Sequence, residues 1–252
     1  MQLELPFLAE PPRTAPGRPR RVQLGGRIVP YVLRRTRRRT IGIVVDERGL
    51  AAAAPRWATV AEVEAFIREQ GRWVLRRIDD PRFRPRAPFV WREGARLPYL
   101  GREMALARGT GRAPGLAGDR LEVPAQAFAA GPALREAVIG WLKAAALALF
   151  HERVAHLAPA LRVAAPTLRL SSAASRWGSC ARAADGRGRV LLHWRLVHFE
   201  LPLIDYVVAH ELAHLRHMNH SDAFWRLVET VHPDQRAARR ALRARGHQLP
   251  DL

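Results

Sequence analysis

The clearest chemistry in this sequence lies in five consecutive residues, His210-Glu211-Leu212-Ala213-His214. In a helix, positions i and i+4 stand one turn apart on a single face, about 6 Å along the axis. Two imidazoles placed in this way reach one metal ion at the ~2.0–2.1 Å of Zn–N bonds. Glu211 is offset by one position, so its carboxylate need not ligate and is free to face an open, water-filled position. Zinc lowers the pKa of such a water toward ~7. A carboxylate beside it takes the proton and later hands it to a leaving group. The segment just ahead, Ile204 to Ala209, is apolar at the spacing of a buried helix, which is the dry, rigid support such a site needs. The pattern therefore predicts a single-zinc metallohydrolase with Glu211 as base. The plainer alternative, a solvated histidine pair on a helix surface, fits the apolar flanks poorly.

A zinc centre with an open position needs a third protein ligand. His217, His220, Asp222 and Glu229 are the nearby candidates. If the helix simply continued, His217 would point almost the same way as His210. For His220 to reach the metal, the chain must first leave the helix. Asn219 tolerates the left-handed conformation that ends helices, and Ser221 is a good N-cap for a following one. Spacing favours His220 and leaves His217 open. The ten-residue interval from His210 to His220 also matches metzincins. Those enzymes have glycine at the position of His217 and need a methionine turn downstream, whereas the methionines here are Met1, Met104 and Met218. The metzincin reading fails.

These residues need elements to position them. Residues 1–21 read as a Pro/Arg-rich flexible leader, 22–128 as a β-rich region, and 129–252 as a small, mainly helical catalytic region holding a short sheet. The expected class is α+β. Ile28–Leu33 and Ile41–Val45 read as strands, with a hairpin turn through Asp46 to Gly49. Thr59 and Glu62 have the spacing of a capping box, opening a helix over about 60–78. Phe89–Trp91, Leu97–Leu106 (with a turn at Gly101) and Leu121–Val123 read as strands, and the Gly-rich 109–118 as a loop. Helices are expected over 132–157, 203–215 and 222–231. Short strands are expected at 167–170 and 190–192, separated by a polar connection. Residues 189–192 are the expected edge strand for aligning a peptide.

Several motifs together resemble one family. Arg176-Trp177-Gly178-Ser179-Cys180, Tyr206 through Leu215, Asn219-His220-Ser221 and Phe224-Trp225 are similar to the YgjP-like bacterial zinc metallopeptidases, a family related to the SprT-like proteases. Arg34-Arg35, Arg39-Thr40-Ile41, Trp73-Val74 and Tyr99-Leu100-Gly101 extend the resemblance over roughly residues 22–247. It implies a zincin-like fold, zinc held by His210, His214 and His220, and Glu211 as the base. For the remaining residues the expectations are modest. Trp177 and Gly178 read as packing on the motif helix, with Arg176 or Ser179 bordering the cleft as the functional alternative. Cys180 and Tyr206 read as buried, His193, His198 and His232 as outer or surface groups, and Phe224, Trp225 and Val228 as core.

Composition narrows the field further. At 252 residues, 48% hydrophobic and 26% charged, the chain is globular. No apolar run approaches the ~20 residues of a membrane span, and a single cysteine suits a reducing, cytoplasmic setting. The net charge of +19 rests almost wholly on arginine, since Lys143 is the only lysine. GC-rich codon usage accounts for scattered arginine, whereas the cluster Arg34 to Arg39 is a candidate for phosphate contact. The leading expectation is a peptidase acting on peptides or unfolded proteins. A nucleotide or phosphoester hydrolase, and a protease working on nucleic-acid-bound partners, are the alternatives.

Overall fold

The computed structural model describes residues 18–252 apart from Arg38, 47–48, 81–87, 174–175 and 183–186. Most of the expected leader lies outside this range, and its last four residues open the first strand. The chain divides between residues 87 and 88 into two compact units.

The first unit holds a four-stranded sheet in the order β1-β2-β4-β3, comprising β1 (Arg18–Leu24), β2 (Arg27–Thr36), β3 (Gly42–Asp46) and β4 (Gly49–Pro55). β1–β2 and β3–β4 pair antiparallel, and β2 runs parallel to β4. Two helices follow, α1 (Val60–Glu69) and α2 (Gly71–Asp79). Val63, Ile67 and Val74 join Val22, Val29 and Tyr31 in this unit's core. The capping box forms, with the Glu62 amide donating to Thr59 Oγ1 at 3.2 Å and the Thr59 amide to Glu62 Oε2 at 2.6 Å. The single helix expected over 60–78 is broken at Gln70-Gly71, where glycine is a poor helix former. Within the arginine cluster, Arg35 donates to the carbonyls of Pro55 and Ala58, so one of its members clamps the end of β4.

The second unit begins with another four-stranded sheet, ordered β5-β6-β8-β7: β5 (Arg96–Tyr99), β6 (Arg102–Gly109), β7 (Gly115–Ala117) and β8 (Arg120–Pro124). Phe89–Trp91, expected as a strand, has no regular structure, and part of the expected Gly-rich loop is β7. The sequence draws its boundary after residue 128, whereas the chain's contacts group β5–β8 with everything that follows. Next come α3 (Gly131–Ala160), then β9 (Thr167–Ser171), β10 (Gly178–Arg182) and β11 (Gly188–His193), and finally α4 (Leu201–Ala213), α5 (Asp222–Glu229) and α6 (Gln235–Arg245). Sheets and helices are mixed without a repeating βαβ order, giving an α+β fold.

The small sheet corrects one expectation. Its order is β10-β11-β9, with β11 antiparallel to β10 and parallel to β9. Residues 189–192 thus lie in the middle strand, and the edges belong to β9 and β10. β10 falls in the segment read as a polar connection. No helix among the described residues is long and apolar enough to cross a membrane.

Candidate metal centre

α4 is buried along most of its length. Leu203, Ile204 and every residue from Tyr206 to Ala213 are buried, as expected of a helix that runs through a core. Its one outward acid, Asp205, receives a two-pronged ion pair from Arg153 of α3, at 2.7 and 3.0 Å. This fork is largely shielded from water and fixes the motif helix more firmly than an exposed pair would. The helix ends early, with His214 already its C-cap. The amides of Leu215 and Arg216 bond back to Leu212 and Ala213 in tighter turns. The sequence expects the helix to reach about Leu215 and offers Asn219 as a left-handed exit residue. Among the described residues only Leu100 and Arg162 are non-glycine residues with positive φ. The chain leaves the helix at His214 without a left-handed residue, and Ser221 then caps α5 by accepting from the Phe224 amide.

The early turn brings His220 over the motif. His210, His214 and His220 each present a ring nitrogen, and these atoms lie within 4.8 Å of one another. Nε2 of His210 and Nε2 of His220 are 3.1 Å apart, near the separation of two nitrogens sharing one tetrahedral ion, about 3.3–3.4 Å. His214 Nδ1 lies 3.1 Å from the His217 carbonyl. A carbonyl only accepts, so Nδ1 carries the proton and Nε2 keeps its lone pair for a metal. His217 thus contributes its backbone, and its ring is not in the cluster. Burial, together with the mutual repulsion of the three rings, pushes the pKa of His210 far down and that of His220 to about 4. Burial lowers His214 as well. All three are neutral near pH 7, as metal ligation requires.

Glu211 is 2% exposed. Its burial lifts its pKa to about 8, against the opposing charge of Arg176. A buried carboxyl left protonated beside three neutral imidazoles marks a site short of positive charge, which a dication would supply. Donor set and electrostatics both fit a metal ion. The edge strand β10 packs tightly against the acid. A Cβ on Gly178 would sit 2.6 Å from Glu211 Cγ and Oε1, so only glycine lets the strand backbone lie directly on the carboxylate.

The other residues singled out in the sequence divide clearly. Trp177 is buried edge-on against His193 and Phe199. Cys180 is raised to about 11 by burial and by the Glu211 charge, so its thiol is inert. Tyr206 packs 6.0 Å from the His210 ring and its phenol is pushed up to about 12 by burial. His198 donates to the Pro98 carbonyl, His193 accepts from the Arg195 amide, and His232 Nε2 bonds the Pro202 carbonyl. Phe224 and Val228 are core, whereas Trp225 is half-buried and stacks on His220, with centroids 5.5 Å apart. The sequence reading missed this contact, although an aromatic five residues beyond His220 is its visible trace.

Among solved structures, the metallopeptidase zymogen abylysin of Pyrococcus abyssi is similar, at 25% identity over 41% of this chain and 99% of that one, with a TM-score of 0.34. No curated protein matches the chain. The model of the YgjP-like metallopeptidase domain matches residues 39–245. With more than half of its length matched, the chain belongs to the YgjP-like metallopeptidase family.

Proposed function

We propose that this family member is a zinc-dependent, zincin-like peptidase cleaving internal bonds of peptides or unfolded proteins, with His210, His214 and His220 as zinc ligands and Glu211 as the base. The observation that carries the reading is the convergence of three neutral imidazoles beside a buried glutamate. Zinc, when bound, supplies the Lewis acid that acidifies water and polarises a carbonyl. Glu211, ionised once a cation is present, takes the proton of the attacking water on a carboxylate oxygen. It then delivers that proton to the departing amine nitrogen, so that one group serves as base and acid. Gly178 holds this carboxylate in place. The edge of β10, the strand that abuts Glu211, offers backbone groups on which an extended peptide aligns.

Two substitutions test the arrangement. A three-histidine centre deprived of a ligand binds zinc far more weakly, while loss of an outer-shell group typically costs ~10–100-fold. His217→Ala keeps the carbonyl that orients His214, so it should change zinc affinity even less than that. His220→Ala should weaken binding well beyond 100-fold, measured by competition with a chelator of known affinity. The reverse order would remove His220 from the ligand set. Gly178→Ala should displace the Glu211 carboxylate while leaving the ligands alone. We expect zinc content near wild type and a fall in kcat of about 10²-fold, the cost of a misplacement of about 1 Å. Unchanged kcat would show that β10 does not fix the base.

A further inference from the structure

A groove of about 580 Å³ runs between α5 and α6, within the ~300–1,000 Å³ of ligand clefts. Its cationic lining is Arg226, Arg236, Arg239, Arg240 and Arg243. The four on α6 recur at i, i+3, i+4 and i+7, which is one helix face, while Gln235, Ala238 and Leu242 of the same helix are buried. Arg245, off that face, pairs with Glu200. Among the described residues none of the five groove arginines forms an ion pair, although Asp222 and Glu229 line the same groove.

Two observations point to a ligand. Arg239 Nε is buried with no partner in the protein, and a buried donor of this kind calls for an acceptor. The groove also shares a wall with the three-histidine cluster. The Arg239 guanidinium lies 5.7 Å from the Trp225 ring centroid, and Trp225 in turn stacks on His220.

The geometry points to a specificity subsite in this groove that takes acidic side chains of a peptide substrate, their carboxylates docking on Arg239, Arg240 and Arg243. It rests on the reading of the neighbouring centre as a peptidase. A peptide suits the groove better than a nucleic acid does. Asp222 and Glu229 repel a phosphate backbone charged at every unit, whereas a peptide offers them backbone N–H groups and carries its carboxylates singly. Guanidinium–carboxylate forks supply directional recognition.

The test uses full-length, zinc-loaded Glu211→Gln protein and a pair of short fluorescent peptides, one rich in glutamate and the other its glutamine counterpart. Fluorescence anisotropy should show the acidic peptide bound at least about tenfold more tightly, the scale of one charged hydrogen bond. Arg240 and Arg243 are exposed, so Arg240→Gln/Arg243→Gln should fold normally. Introduced into the same protein, this pair should cut the preference severalfold, leaving what Arg239 supplies, while the neutral peptide binds much as before. Active enzyme should show the same preference in kcat/KM. Equal binding of the two peptides, or a preference that the double substitution leaves undiminished, overturns the subsite. So does a single-stranded oligothymidylate that binds more tightly than the acidic peptide and depends on the same arginines. If the preference holds and the active enzyme cuts neither peptide, the subsite stands and the peptidase reading falls.

Discussion

Glu211→Gln should keep its metal and lose nearly all turnover. The amide is nearly the same size and meets the same Gly178 backbone, so packing around it should change little. It cannot accept a proton from the attacking water. The loss should be at least the ~10²–10⁴-fold ascribed to general acid–base catalysis, and larger if the same group also protonates the leaving amine. Elemental analysis beside single-substrate kinetics separates the two effects. Near-normal zinc with near-normal kcat would remove Glu211 from the chemistry. A variant that had lost its zinc would instead show that the carboxylate holds the metal.

His210→Ala and His214→Ala should abolish stoichiometric zinc. Both rings project from a helix held by buried packing and by the Arg153–Asp205 fork, so α4 should persist without them. What is lost is the link from α4 to the turn carrying His220 and to the start of α5. A metal that binds only the folded chain stabilises it by about 4 kcal/mol at a thousandfold excess over Kd. Wild type should therefore show a clear rise in Tm on adding zinc, and both variants should show none. A full zinc complement in either variant would displace the centre from α4.

Much of this site is legible in the sequence because its elements are local. The i, i+4 histidines, the apolar run before them and the Ser221 cap each depend on neighbours within a turn or two, and all appear where spacing puts them. The end of α4 falls within two residues of the expected Leu215, but its exit does not use Asn219: the chain turns at His214 with no glycine or proline to announce it. β10 escaped notice for a related reason. Gly178-Ser179-Cys180-Ala181-Arg182 has no β-branched or aromatic residue, and its strand form depends on pairing with β11. That β11 is the middle strand follows from its pairing with β9, more than twenty residues earlier, which no local pattern encodes. α6 was passed over because its buried side is small, resting on Ala238 and Leu242 among five arginines. The division at residues 87 and 88 had a trace, three prolines between Pro81 and Pro88, but strand-like residues on both sides of it read as one β-rich region.

The sequence reads Gly178 as packing on the motif helix, and the structure adds which residue of that helix it meets, Glu211. Gly178 and Glu211 are far apart along the chain, and glycine in a strand has several explanations. Only the packing of β10 on the motif helix selects this one. It gives Gly178 a physical task, which is to let the strand backbone lie directly on the Glu211 carboxylate.

The most direct measurement is a parallel screen of the zinc-loaded protein and its Glu211→Gln variant against an unfolded protein and a panel of nucleotides, reading peptide fragments by mass spectrometry and released phosphate in the same reactions. We predict internal peptide cleavage by the wild type, its near-complete loss in the variant, and no phosphate from either. Phosphate or pyrophosphate release that depends on Glu211, with the unfolded protein left intact, would contradict the account.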